Sequence, residues 1–532
     1  MKLKFIISLL IPAIYTYFKT KKTFHMLQQN WYNEGNRYLK WIFKNIKQVF
    51  VSLDILFLCF IIFNFIHLDS IWLMIFFIIF YMVFTLLYLK KRKTEQSKLE
   101  LKITARVKRL FTTQTILYLL PILWMYFNFR EDDLNQYYLI IGAMIYLCYF
   151  VTFITSLINT PIEKLLSYRF KRKAQKKLKS MSNLKVIGIT GSYGKTSSKN
   201  ILSDVLNVKY NALPTPKNFN TPVGLTITIN NYLDKFTDYF IAEMGAFKRG
   251  EVQYLCDFVH PTYGILTKIG TAHLESFGSQ ENIQKGKFEL IESLPSDGIG
   301  ILNGDDELQR NYHLKNNCKI VWIGIENADV DVRATNIKLS HTGTTFDCIF
   351  KGDKKKYKFE TKLLGQANVY NILAAIALGK ELGISIEQLQ VGVKKVNPVE
   401  HRLELKKSGN INIIDDAYNS NPVGAKMALE VLKMMPGKRI VVTPGMIELG
   451  TKQQELNYEF GRQIADHVDE VILVGKKQTK DIYDGIISKK FDKKRIYVIN
   501  DVKEAFPMMR SLADKETYVL LENDLPDIFN EK

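Results

Sequence analysis

Cysteine is scarce in this 532-residue chain: Cys59, Cys148, Cys256, Cys318 and Cys348 are the only five, and none forms a C-x-x-C pair. That pattern supports neither a disulfide framework nor a zinc site, and it fits a reducing compartment. A small-residue cleavage site is also missing after the first apolar stretch, residues 6–18, which follows Lys2 and Lys4. The stretch is therefore not read as a signal peptide. Being short for a span, it is read as an interfacial or re-entrant anchor. The third scarcity is excess charge over most of the length. The formal net charge is +20, but residues 1–185 hold 28 Lys+Arg against 9 Asp+Glu, leaving +1 for residues 186–532. A nucleic-acid binder concentrates basic residues on a folded face. Here they lie in the third of the chain that is also apolar, so no nucleic acid is expected as a partner.

That third is rich in long apolar runs. Residues 49–66, 71–89, 110–128 and 137–158 are each about long enough to cross a hydrocarbon core. The connections at 19–48, 90–109 and 161–185 are basic, whereas those at 67–70 and 129–136 are short and not basic. The positive-inside bias then predicts four spans in a cell membrane, with the rest of the chain cytoplasmic. Asp54, near the cytoplasmic end of the first run, reads as a solvated acid rather than a functional one. The basic stretch 169–177 is expected to rest as a helix on anionic lipid heads. Residues 1–183 are assigned to this membrane region and its linker.

Just beyond lies the sequence VIGITGSYGKTSSKN, residues 186–200. The apolar run Val186, Ile187, Ile189 predicts a buried strand; Gly191 and Gly194 break it, and Lys195-Thr196 opens a helical pattern. A strand, a glycine turn and a helix start form an anion cradle, because backbone N–H groups converge on the phosphate at the positive end of the helix. The full G-x-x-x-x-G-K-[ST] spacing would need glycine at position 189, which is Ile189, so this is a shorter loop. Gly191, Ser192, Gly194, Lys195, Thr196 and Ser197 are its candidate nucleotide contacts, with Lys195 on the outer phosphates and Thr196 on Mg²⁺.

Apolar runs alternate with helical patterns from 240 to 323, the rhythm of a parallel α/β sheet. Residues 331–362 alternate apolar and polar positions and predict a small antiparallel insert. After a break at Pro398, a second α/β series begins. Residues 184–398 are assigned to a parallel-sheet ATP-binding domain and 399–532 to a Rossmann-like α/β domain.

Four further stretches bear functional side chains: IAEMGA at 241–246, TKIGTAHLESFG at 267–278, ENIQKGKFEL at 281–290 and IDDAYNSNP at 414–422. With the loop T-G-S-x-G-K-T-S, the run GQANVYNILAA and the run GMIELG, they resemble the Mur ligase family of ATP-dependent amide ligases in cell-wall precursor synthesis. The closest likeness is to the branch that adds D-alanyl-D-alanine. The resemblance implies that Thr196 and Glu243 hold one Mg²⁺ and that His273 serves a second. It also implies that Lys287 is carbamylated into a metal-binding carboxylate. Asn368 and Asn371 would face adenine, while Arg402 and Asp416 would complete the nucleotide contact from the second domain. Asn220, Thr221, Tyr418, Asn419 and Asn421 would face substrate. The chain departs from the family pattern at Ala367 and His401, where the family often has His and Gly, and at Leu521-Glu522-Asn523-Asp524, where it has a K-G-S signature. Apolar sequence also replaces the domain that grips the UDP-sugar.

The expected fold is therefore α/β with membrane-spanning helices: a four-helix membrane region, a P-loop ATPase domain with a small β insert, and a C-terminal Rossmann-like domain. The expected activity is ATP-dependent amide ligation through an acyl phosphate. It would join an amino acid or dipeptide to a cell-envelope precursor that is lipid-linked or handed over by a membrane enzyme. The alternatives are a ligase for another envelope polymer, of the poly-γ-glutamate type, and a catalytically silent ATP-binding scaffold.

Overall fold

The computed structural model describes residues 1–62, 69–94, 100–418, 420–447 and 449–524. The chain forms two compact units, Met1–Arg169 and Phe170–Lys532. In the first, three helical segments are long and apolar enough to cross a membrane: Lys2–Gln29, Ser70–Lys90 and Ala105–Phe127. A fourth candidate is the pair Leu134–Tyr146 and Cys148–Lys179, bent by 71°. Aromatic rings fill the unit's interior, including Phe5, Phe60, Phe77, Tyr81 and Tyr138.

Three of the expectations for this unit are corrected. Residues 6–18 do not stand alone as a short stretch but belong to the 28-residue segment Lys2–Gln29, a candidate span. At ~1.5 Å per residue that segment reaches about 42 Å, enough for a hydrocarbon core. The polar residues that close the apolar run in the sequence turn inward and find partners: Lys19 pairs with Asp54, and Thr23 bonds Thr152 at 2.7 Å. Nor do the described residues 49–62 form one continuous helix. A short helix ends at Phe50, a 3₁₀ turn covers Leu53–Leu58, and Cys59–Ile62 adds one helical turn before residues 63–68, which lie outside the described residues. The break has a polar cause, because Ser52 and Lys19 both bond Asp54. Asp54 is accordingly buried and paired rather than solvated.

The second unit holds two sheets. The first contains β1 (Lys185–Thr190), β2 (Ala212–Pro214), β3 (Tyr239–Glu243), β4 (Tyr263–Leu266), β5 (Ile299–Asn303), β6 (Lys319–Gly324), β7 (Val332–Ser340), β8 (Gly343–Phe350) and β9 (Tyr357–Thr361). Their order is β2-β3-β1-β4-β5-β6-β7-β8-β9. The pairs from β2 through β7 are parallel, and β8 and β9 add antiparallel partners. The small antiparallel insert expected at 331–362 is thus β7–β9, which continues the sheet as its edge.

Val186, Ile187 and Ile189 make β1 a central buried strand. Helices Lys195–Leu206 and Gln366–Glu381 cover one face with side chains such as Ile201, Val205, Ile372 and Leu373. Helices Glu251–Val259 and Gln280–Glu292 cover the other, through Leu255, Ile283, Phe288 and Leu290. With both faces covered, only the strand ends and their loops remain open to a ligand.

The second sheet contains β10 (Glu404–Ser408), β11 (Ile411–Asp416), β12 (Lys438–Thr443), β13 (Glu470–Val474), β14 (Ile496–Ile499) and β15 (Thr517–Glu522). The order is β10-β11-β15-β12-β13-β14, parallel apart from the β10–β11 edge pair.

Candidate active site

The glycine loop leaves β1 where the strand order reverses: β3 lies on one side of β1 and β4 on the other, and the chain goes next to β2. Open parallel sheets have their ligand crevice at such a point. Gly191 has φ +148°, and a Cβ there would come within 2.0 Å of Thr267 Oγ1, so backbone alone fits. Gly194 is left-handed and caps the helix Lys195–Leu206. The N–H of Ser192 donates to Lys268 O at 2.9 Å and its hydroxyl to Gly270 O at 3.2 Å, tying the loop to the segment after β4. Lys195 Nζ folds back on its own loop, donating to Gly191 O at 2.7 Å and Ser192 O at 3.2 Å. Burial lowers the Lys195 pKa; Glu243 opposes that shift and Arg402 adds to it.

Glu243 ends β3, side by side with β1 in parallel register. The Thr196 hydroxyl donates to its two carboxylate oxygens at 3.2 and 3.1 Å, and Asn220 Nδ2 donates to Oε1 at 3.1 Å. A lysine the sequence reading passed over completes this shell. Lys199 is fully buried, pairs with Glu243 Oε2 at 3.0 Å and also donates to the carbonyl of Lys217. Desolvation lowers its pKa, and Glu243 opposes that shift. One turn beyond Lys195, it looks in sequence like any solvated helix lysine; only the β1–β3 pairing brings the acid to it.

His273 and Lys287 lie near the loop. His273 has φ +62° and packs its ring on Phe247 with centroids 4.4 Å apart. Burial lowers its pKa to about 4, with added repulsion from Lys195 and Lys287. Lys287 is buried, donates to Ala246 O at 3.3 Å and lies over the Phe277 ring. Desolvation, then Lys195, lowers its pKa to about 7. Two lysines, Lys195 and Lys199, thus act on one buried carboxylate, an arrangement suited to a polyanion with a hard cation. Among the described residues, no group of three or more His, Cys, Asp or Glu forms a metal centre by itself.

The loop opens into a cleft lined on its second-domain side by Arg402, Asp416, Ser420 and Glu522. Asn371 lies beside Gly194, whereas the Asn368 amide is committed to Leu364 O at 2.8 Å. Arg402 stacks over Tyr418 at 4.3 Å. Asp416 accepts from Leu403 N at 3.2 Å. Thr221 and Asn421 are helix N-caps, accepting from Gly224 N at 3.2 Å and Gly424 N at 2.9 Å. Asn419 lies outside the described residues. The turn 303–306 is structural: Asp305 accepts three backbone N–H groups, and Asp306 accepts from Ile269 N at 2.9 Å, holding the His273 loop.

Two family models match the chain, the Mur ligase middle domain over residues 189–379 and the Mur ligase glutamate ligase domain over residues 401–522. A UDP-N-acetylmuramoyl-tripeptide–D-alanyl-D-alanine ligase from Bacillus subtilis is 32% identical over 342 residues, 64% of this chain and 72% of that one. The enzyme of the same name from Escherichia coli is 32% identical over 296 residues, 55% of this chain and 65% of its own length. A crystal structure of MurF ligase from Thermotoga maritima in complex with ADP superposes with a TM-score of 0.60 at 24% identity, covering 67% of this chain and 80% of that one. The matches leave the apolar helices of the first unit outside the family models. From residue 189 onward, this chain belongs to the Mur ligase family.

Proposed function

We propose that this protein is a MurF-like, ATP-dependent carbon–nitrogen ligase that activates an acceptor carboxylate as an acyl phosphate and joins it to an incoming amine. The observation that carries the reading is the buried Glu243 at the mouth of the glycine loop, with both oxygens presented to Thr196. The loop's N–H groups and the start of the helix Lys195–Leu206 would take the phosphates of ATP, and Asn371, Arg402 and Asp416 would flank the nucleotide. Lys195 would release its two loop carbonyls and turn its charge to the outermost phosphate.

Glu243 and Thr196 fit Mg²⁺, being oxygen donors suited to a hard cation. His273 and Lys287 fit a second one only after carbamylation, because a lysine ammonium repels a metal. The nitrogen of neutral Lys287 would attack carbon dioxide, losing a proton to solvent and gaining a carboxylate. Bound magnesium would supply charge neutralisation during phosphoryl transfer. Lys199 and Asn220 would keep Glu243 aimed throughout. Tyr418 and Arg402 would hold the second domain against the nucleotide, excluding water from the acyl phosphate while the amine attacks.

The relatives' names indicate a muramoyl-tripeptide acceptor and D-alanyl-D-alanine as the amine. A membrane-associated acceptor is favoured by the apolar helices and by helix Cys148–Lys179, whose basic end stops just before β1. The test is phosphate release by the full-length protein in bilayer discs, with UDP-linked or lipid-linked muramoyl peptide and a panel of amines. Turnover that requires both acceptor and amine supports the ligase. ATP hydrolysis indifferent to both, or none, contradicts it.

A further inference from the structure

The end of helix Cys148–Lys179, from Phe170 onward, belongs to the second unit. Its inner side packs into that unit's core, with Ala174 fully buried and Leu178 partly so. Two neighbouring helices hold it there. Lys171 donates to the Tyr254 hydroxyl at 2.7 Å and lies 4.1 Å from the centre of that ring, on helix Glu251–Val259. On the other flank is helix Pro222–Asn231, where Lys177 donates to Asn230 O at 3.3 Å and Asn230 Nδ2 donates to Phe170 O at 3.0 Å. At 100° per residue, positions 172, 173, 176 and 179 fall on the side turned away from the core. Arg172, Lys173, Lys176 and Lys179 are all exposed there.

Beside this basic side, helix Pro222–Asn231 leaves apolar side chains open. Val223 and Ile227 are exposed one turn apart, and the same side of the helix reaches Asn230, the residue that bonds Phe170. Phe170 and Tyr232 are exposed as well, and Phe236 is 69% exposed. Lys235 lies 5.0 Å from the centre of the Phe236 ring. The acid next to it, Asp234, is turned onto its own loop, accepting from Phe236 N at 2.9 Å and the Thr237 hydroxyl at 3.1 Å. Apolar side chains exposed singly need no partner, but a run of them edged by lysine and arginine marks a surface that something covers.

We propose that this face docks the catalytic domain onto an anionic phospholipid bilayer. Ile227, Phe170, Tyr232 and Phe236 enter the headgroup layer, and the outward lysines and arginine lie on lipid phosphates. The composition fits that occupant, because aromatic and aliphatic chains seat among headgroups while clustered cations gain from a negative leaflet. Continuity fits it too, since the helix that carries the basic side is part of a candidate span. A second copy of the chain fits poorly: a two-fold pairing of this face sets each basic group against its own duplicate. The face also leads to the active site. Thr221 caps the far end of helix Pro222–Asn231, and Asn220 before it bonds Glu243 at 3.1 Å, so one helix length, about 15 Å, separates Phe170's neighbour from the mouth of the glycine loop. Docking therefore holds that mouth close to substrates carried by the membrane, and it does not depend on the ligase reading.

The test is spin-label accessibility in the full-length protein, held in bilayer discs of phosphatidylcholine alone or mixed with phosphatidylglycerol. A nitroxide is attached at Ile227→Cys or, as the control on an exposed edge of the sheet, at Lys338→Cys; Cys59→Ser removes the one native cysteine that is not buried. In the anionic discs the Ile227 probe should gain collisions with oxygen and lose those with a water-soluble nickel chelate, their ratio rising at least about threefold, while the Lys338 probe does not change. Molar salt should return the ratio to its value in neutral discs. So should the combined variant Arg172→Glu, Lys173→Glu and Lys176→Glu, with ADP affinity unchanged as a check on folding. An Ile227 probe equally open to water in both lipids overturns the docking. Shielding in neutral discs, or shielding accompanied by dipolar broadening between two labelled copies, overturns it in favour of self-association. Shielding that appears only with a lipid-linked muramoyl peptide assigns the face to the acceptor and overturns it as well. Salt-sensitive shielding in a protein that ligates nothing would count against the ligase reading and leave the docking standing.

Discussion

Lys287 offers a prediction in which stability and activity move in opposite directions. Its pKa falls from 10.5 to about 7, with desolvation the largest cause and repulsion from Lys195 the next. In the unfolded chain the same amine keeps its ordinary value, so between pH 7 and 10.5 the unfolded state binds more protons and this residue's contribution to stability rises with pH. Below pH 7 the folded protein bears the whole penalty of a buried ammonium. A shift of this size corresponds to about 5 kcal/mol, at about 1.4 kcal/mol per unit.

That is an upper bound on what Lys287→Met can recover at pH 6, because the variant also loses the 3.3 Å bond to Ala246 O. The full-length variant in metal-free, bicarbonate-free buffer should therefore melt several degrees above wild type at pH 6, and the gap should close as the pH rises to 10. Its ligase activity should be lost at every pH. The same depression makes carbamylation possible: about half the amine is neutral at pH 7 and about nine-tenths at pH 8, against less than a thousandth at pH 7 for an ordinary lysine. In ¹³C-bicarbonate, wild type should show a carbamate carbon resonance that grows from pH 6 to 8 and is absent from Lys287→Met. A variant less stable than wild type at pH 6, or fully active, would refute the reasoning.

Three further substitutions probe the rest of the site. Lys195→Ala should abolish ATP turnover while leaving the melting temperature within a degree or two, since the lysine bonds only loop carbonyls; phosphate release above about a tenth of wild type would contradict that. Lys199→Met strands the buried Glu243 and should cost about 3–5 kcal/mol by denaturant unfolding; adding Glu243→Gln should restore part of that stability but no activity. Gly191→Ala places a methyl group 2.0 Å from Thr267 Oγ1 at φ +148°. Nucleotide affinity measured by fluorescence titration should fall at least tenfold, and Thr267→Ser should not rescue it, because the hydroxyl remains.

The strands were legible wherever apolar residues ran together. β1, β3, β4, β12 and β13 are short, mostly buried runs, and each follows the pattern of Val186, Ile187 and Ile189. β2 has only three residues and ends in Pro214, and β10 is the polar edge segment Glu404–Ser408, so neither carries that signal. The loop residues were legible because glycine and Lys-Thr are rare neighbours at a strand end. Lys199 and Glu522 were not, because a lysine in a helix and a glutamate after a strand are ordinarily solvated. Their burial depends on which strand lies next door. In the first unit, Lys19 appeared to end an apolar run because its partner, Asp54, lies 35 residues away.

The central claim, that ATP activates an acceptor carboxylate, is tested most directly by oxygen transfer. UDP-linked and lipid-linked muramoyl tripeptides would carry ¹⁸O in the terminal carboxylate and be incubated with full-length protein, ATP and D-alanyl-D-alanine. Ligation through an acyl phosphate leaves one acceptor oxygen in each phosphate released, so mass spectrometry should find one ¹⁸O per phosphate and one peptide bond per ATP consumed. Phosphate without label, with its added oxygen drawn from water, would show that the site only hydrolyses ATP and would contradict the account.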